Sequence, residues 1–231
     1  MSTIGHVQIH QAPTTIRLAV AERGHKLHNL WSVWSYKLQI SCLLPSDPAL
    51  FHFALLESDL RVRSYELEAP SLAIRLNHEV VGTRFDAEVH FKDGTVAWDE
   101  VKGDVEAIDD AQQKQLEAQA KLAAAHQVLY RLFTINELKP HTTRVWNCLR
   151  MLQVLQAAKE FSVAGARTLV LSRLCGGVAS IGELIETGGD DRGITLAAIF
   201  GLMLDGSVLG DLESTPLTLA TKLHRMEDLH A

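Results

Sequence analysis

Between Arg84 and Gly103 the chain carries two short runs of alternating apolar and polar residues, separated by Asp93-Gly94. That dipeptide between such runs is the strongest short-range hairpin signal a sequence offers. No other segment restricts the fold as much, because a hairpin returns its second strand beside its first. Asp86, near the start of one strand, is therefore expected beside Glu100, near the end of the other. Side chains alternate across a strand. Glu100 and Lys102 are thus expected on one face, with Val101 pointing into the core.

Two carboxylates and an ammonium at one end of a hairpin suit a hard cation. Mg²⁺ takes oxygen ligands octahedrally and keeps several waters, so one or two carboxylates plus a substrate phosphate suffice to hold it. The ion lowers the pKa of a bound water and neutralises charge building on a phosphate. A lysine two residues after a ligand can reach the same phosphate, place the attacking water or stabilise the transition state. Asp86, Glu100 and Lys102 are therefore the candidate catalytic residues, suited to phosphodiester cleavage. The plainer alternative is an exposed hairpin with solvated charges. The acidic residue on the paired strand tips the balance towards chemistry.

A length of 231 residues allows one or two domains, and 47% hydrophobic against 22% charged residues is an ordinary globular composition. The longest apolar run, 194–204, is interrupted by Gly201 and falls short of the roughly 20 residues a bilayer span needs. No basic-then-apolar leader opens the chain, which argues for a cytoplasmic location. Cys42, Cys148 and Cys175 are widely spaced and are expected as buried thiols in a reducing compartment. The eleven histidines are scattered, and none stands out as a zinc ligand. A formal charge of −6 argues against non-specific nucleic-acid binding by the chain as a whole. An acidic nuclease binds DNA weakly when alone, which points to a complex.

Residues 1–30 show no sustained period and are expected as an extended arm. Trp31, Trp34 and Tyr36 read as a packing anchor. Ser46-Asp47-Pro48 is a helix start, with a Ser or Asp cap and proline in the first turn. The helix should end near Ser58-Asp59 and, apolar nearly all round, lie buried against a sheet. Strands are expected over 60–67 and 71–76, separated by Ala69-Pro70, followed by the hairpin. A long helix over 108–127 follows from its Ala, Gln, Lys and Glu content, then a fifth strand over 128–133, closing at 134–138. Helix, strand meander, helix and strand describe an α/β domain over 31–138, its mixed sheet flanked by helices on both faces.

Lys139-Pro140 marks the expected boundary, after which 139–231 reads as mostly helical. Helices are expected over 144–160, 164–174, 181–185 and 194–204, then two small strands within 205–210 and 215–219. Short helices followed by a hairpin suggest a winged-helix-like domain. The segment 194–220 is poor in Lys and Arg, which a DNA-reading helix normally brings to the phosphates. Protein–protein contact is the better reading.

In this order the pieces resemble the TnsA family, the endonuclease subunit of heteromeric transposases, which has the PD-(D/E)xK restriction-endonuclease-like fold. The resemblance runs from about Tyr36 to the C-terminus. It is strongest at 55–62, Phe85-Asp86, Glu100-Val101-Lys102, 130–134 and 202–221. It implies that Asp86 is a metal-binding aspartate, Glu100 the second acidic ligand and Lys102 the catalytic lysine, with the Val101 carbonyl a further metal ligand. The implied cofactor is Mg²⁺, with Mn²⁺ a substitute. The implied activity is nicking of transposon 5′ ends in the bacterial cytoplasm, beside a TnsB-like DDE transposase. A TnsC-like AAA+ ATPase would dock on the winged-helix-like C-terminal domain.

Two departures stand out. Phe85 replaces the family's usual proline, at a position that shapes the strand without doing chemistry. Ala49 stands where the family carries a glutamate on its first helix; Asp47, half a turn earlier, is a candidate replacement, while Glu57 reads as structural. The second departure leaves a further expectation, a catalytically degenerate adaptor bridging the DDE transposase and the AAA+ regulator.

Overall fold

The computed structural model describes residues 29–67, 72–76, 79–103, 109–188 and 191–226. The expected arm over 1–30, apart from Asn29 and Leu30, lies outside the described residues, as does the break at Ala69-Pro70. Strands β1 (Trp31–Trp34) and β2 (Ser41–Leu44) form an antiparallel pair that the sequence reading missed. Helix α1 (Asp47–Ser58) begins as its sequence dictates: Ser46 has extended backbone, and its hydroxyl accepts the Ala49 N–H at 3.2 Å. One carboxylate ties these elements together. Glu57, fully buried on α1, accepts from the hydroxyls of Ser35 (2.6 Å) and Tyr65 (2.5 Å) and from the backbone N–H of Tyr36 and Lys37.

A four-stranded mixed sheet has the order β3 (Val62–Leu67), β6 (Ala87–Phe91), β7 (Val96–Val101) and β8 (Leu129–Phe133). The first two junctions are antiparallel and the last is parallel. Strand β4 (Leu72–Leu76) lies outside this sheet and, among the described residues, pairs with β5 (Glu79–Thr83), a strand not expected from sequence. The place beside β3 goes to β6, whose Ala87, Val89 and Phe91 join Val62 and Tyr65 in the main apolar cluster. Helix α2 (Asp110–Ala125), capped by the Asp109 carboxylate on the Gln112 N–H, links β7 to β8.

The two helices cover opposite faces of β7. His52 on α1 reaches Asp99, whereas Gln119 on α2 reaches the adjacent Glu100, and neighbouring strand residues point to opposite faces. This corrects the expected burial of the hairpin: Glu100 is buried, at 3% exposure, whereas Val101 is half-buried. With both faces covered, the buried side of a strand is no longer the apolar side, and Trp98, Asp99 and Glu100 are buried in succession.

The segment expected to close the fifth strand is instead helical, α3 (Ile135–Leu138), started by a capping box between Thr134 and Glu137. A 3₁₀ turn (Lys139–His141) leads directly into α4 (Thr142–Ala158). One apolar cluster, including Phe53, Val89, Met151 and Ile199, spans both sides of the expected boundary at 139. Beyond it come α5 (Ala164–Leu174), β9 (Ala179–Ser180), α6 (Ile181–Thr187), α7 (Arg192–Asp205), β10 (Val208–Gly210) and β11 (Lys222–Arg225). The small strands form a three-stranded sheet in the order β10-β11-β9.

The second small strand therefore lies at Lys222–Arg225, not within 215–219. Backbone groups of the latter segment are claimed by α4: Asn147 accepts the Leu217 N–H and donates to the Thr215 carbonyl, and Arg150 donates to the Leu217 carbonyl. Cys42 and Cys148 are buried as expected, but Cys175 is exposed, just beyond the end of α5. Among the described residues no helix is long and apolar enough to cross a membrane.

Candidate functional site

The turn at Lys92–Thr95 forms as the sequence implies. Gly94 has φ 89°, the Phe91 N–H donates to the Thr95 carbonyl, and the Asp93 carboxylate accepts the Thr95 N–H. The ladder then runs from His90↔Val96 to Ala87↔Asp99. At its far end the backbone N–H of Asp86 donates to the Asp99 carbonyl at 2.9 Å, and Oδ2 of Asp86 accepts the Val101 N–H at 2.7 Å. A side-chain oxygen thus stands where a strand carbonyl would continue the ladder. Asp86 is held against the Glu100-Val101-Lys102 segment by hydrogen bonds on both sides of Glu100.

Glu100 Oε1 pairs with Lys102 Nζ at 2.5 Å, and Oε2 accepts from Gln119 Nε2 at 2.7 Å. The three residues singled out from sequence are therefore brought together. Burial raises the pKa of Glu100, and the negative charge of Asp86 raises it further, against the opposing pull of Lys102 and Gln119. Asp86 is exposed as a residue, yet burial of its carboxyl group raises its pKa, opposed by the Val101 N–H and the charge of Lys102. Two carboxyl groups whose ionisation burial makes costly, one of them further opposed by the other's charge, are a donor set that a divalent cation would relieve.

Asp47 Oδ1 accepts from Asn29 Nδ2 and Trp31 Nε1, both at 2.8 Å, fastening β1 to the start of α1. Ala49 packs against the main apolar cluster. Among the described residues, no group of three or more His, Cys, Asp or Glu side chains is arranged to hold a metal ion. A cation at this site would rest on Asp86, Glu100 and the Val101 carbonyl, with water or phosphate supplying its other oxygens, a set that suits Mg²⁺.

Sequence reasoning missed the residues beneath the site. Asp99, fully buried, joins His52 Nε2 at 2.8 Å and receives two hydrogen bonds from Arg131. Gln119 and Tyr130 stand behind Glu100. One signal was available, a run of two acids after Trp98 inside a strand, which demands partners if the strand is buried. A cleft of about 520 Å³ lined by Leu60, Phe91, Leu129 and Met226 lies by Asp93 and Thr95, at the turn end of the hairpin and away from this cluster.

No family model matches the chain, and no curated protein matches it.

Proposed function

We propose that this chain is a Mg²⁺-dependent DNA endonuclease, the TnsA-like subunit of a heteromeric transposase, with a PD-(D/E)xK fold, that nicks transposon 5′ ends during cut-and-paste transposition. The carrying observation is the far end of the hairpin, where Asp86, Glu100 and Lys102 converge on one hydrogen-bonded cluster. The element order supports the same reading: a capped helix, a strand, the hairpin carrying these residues, then a helix and a parallel strand. Bound Mg²⁺ would supply a lowered water pKa and charge neutralisation at the phosphate. Asp86 and Glu100 supply oxygens to hold it, and the Val101 carbonyl adds a third. Lys102 supplies positive charge for the phosphate oxygens. Its ammonium is pinned by Glu100, so it is oriented before substrate arrives.

The order α5, β9, α6, α7, β10, β11 favours a winged-helix-like C-terminal module. Helix α7, the counterpart of a recognition helix, is buried from Ala197 to Leu204. Apart from its last residue, Asp205, only its first turn at Arg192 and Gly193 is exposed to a DNA groove. Docking of a TnsC-like AAA+ ATPase fits this module better than base reading does. The test is end cleavage with the TnsB-like transposase and the ATPase, comparing wild type with Asp86→Ala and Lys102→Ala. Both variants should abolish 5′ nicking while 3′ cleavage by the partner continues. Unchanged 5′ nicking in both would defeat the proposal.

A second reading, a catalytically degenerate adaptor between transposase and ATPase, is favoured by one specific observation. The first helix presents Ala49 where the resemblance implies glutamate, and Asp47 is engaged by Asn29 and Trp31. A wild-type chain that assembles with both partners and never nicks DNA would support it.

A further inference from the structure

Gln119 is a fully buried amide on an alanine-rich helix, with Ala118 and Ala123 also buried to 0% exposure. A buried amide is costly unless its donors and acceptor are satisfied. Here they are. Nε2 donates to Glu100 Oε2 at 2.7 Å and to the Arg84 carbonyl at 3.2 Å, and Oε1 accepts from the Tyr130 hydroxyl at 2.9 Å. Only one orientation of the amide works. Flipped, its oxygen would face the Glu100 carboxylate and the Arg84 carbonyl, both acceptors.

Tyr130 stands on β8 directly opposite Trp98 of β7, and its ring packs edge-on against Phe85 at 6.2 Å between centroids. Burial pushes the phenol pKa up, and the charges of Glu100 and Asp86 push it further. The hydroxyl therefore keeps its proton and acts as a donor to Gln119. The amide in turn bridges the segment entering Asp86, through Arg84, to the carboxylate of Glu100 across the hairpin end.

We propose that Tyr130 and Gln119 form a positioning relay that sets the separation of Asp86 and Glu100 and orients Glu100 for a divalent cation. This rests on the metal-dependent reading above. With Oε2 taken by Gln119 and Oε1 by Lys102, the carboxylate cannot rotate, and each oxygen keeps a second lone pair for the ion. Loss of the Tyr130 hydroxyl leaves the buried amide oxygen without its donor, so the amide is held from the donor side alone. Loss of the amide leaves Glu100 held by Lys102 alone.

Calorimetric titration of Mn²⁺ into the full chain tests the relay, with melting temperature measured alongside. The proteins compared are wild type, Tyr130→Phe, Gln119→Met and Asp86→Ala. Tyr130→Phe keeps the ring contact and should stay folded with a melting temperature lowered by about 2–8 °C, yet bind Mn²⁺ about 10-fold more weakly. Gln119→Met should weaken binding by up to about 100-fold, the range for residues that orient a metal ligand. Should Gln119→Met fail to fold, Tyr130→Phe alone decides. Wild-type Mn²⁺ affinity in Tyr130→Phe, with binding lost in Asp86→Ala, would overturn the relay and leave the metal site standing. No Mn²⁺ binding by wild type, or binding indifferent to Asp86→Ala, would overturn both.

Discussion

Asp99 and Arg131 stand opposite each other on parallel strands β7 and β8, and Arg131 donates to both carboxylate oxygens, at 2.7 and 2.6 Å. The guanidinium also lies over the rings of Phe91 and Phe133, 5.0 and 5.2 Å from their centroids. Asp99 is fully buried, so an unmatched charge there has no water to turn to. Asp99→Ala leaves Arg131 and His52 without their acceptor and should cost about 3–5 kcal/mol. Urea denaturation reads this directly. A loss under about 1 kcal/mol would mean that the network contributes little to the fold.

Glu57 accepts four hydrogen bonds from two parts of the chain, Ser35–Lys37 and Tyr65, while fully buried. Glu57→Ala strands those donors in the core and should destabilise by about 3 kcal/mol or more. Tyr65→Phe removes one hydroxyl donor and should cost about 1–2 kcal/mol. Under the proposed function, nicking at a temperature where both variants remain folded should be close to wild type, since Glu57 and Tyr65 are bonded to Ser35–Lys37 and to each other.

The fold raises the pKa of both Asp86 and Glu100. Folded protein then holds these protons more tightly than the unfolded chain does, so this pair makes stability fall as pH rises through the carboxylate range. Asp86→Asn removes one of the charges and its repulsion of Glu100, while an amide oxygen can still accept the Val101 N–H. In EDTA its melting temperature should exceed that of wild type at about pH 7.5, and the gap should close as pH falls to about 4. A gap that widens in acid would refute this sign.

Gly188 closes α6 in a confined space. A Cβ there would come within 2.6 Å of the Leu184 carbonyl oxygen, and closer still to Thr195 Cγ2. The carbonyl belongs to helix backbone and Thr195 is buried, so neither yields easily. Gly188→Ala should cost about 1–3 kcal/mol, lowering the melting temperature by about 2–4 °C per kcal/mol. An unchanged melting curve would show that α6 shifts freely against α7.

Local rules made much of the fold legible. The cap at Ser46, the turn at Asp93-Gly94 and the limits of α5 at Ala164–Leu174 follow from chemistry within a few residues. The strand at Lys222–Arg225 does not, because its partner β9 is distant in sequence; the β4–β5 hairpin and the Thr134–Glu137 capping box are local, yet the sequence reading missed both.

The candidate site divides in the same way. That Asp86 and Glu100 would be neighbours was determined by sequence alone, since a tight turn and a two-residue side-chain period leave little other choice. That Glu100 is buried, that Gln119 and Tyr130 stand behind it, and that Asp99 is matched by His52 and Arg131 was decided only by tertiary structure. A polar side chain's partner is whatever the packing of helices on both faces of β7 brings within hydrogen-bond reach, and no spacing along the chain encodes that contact.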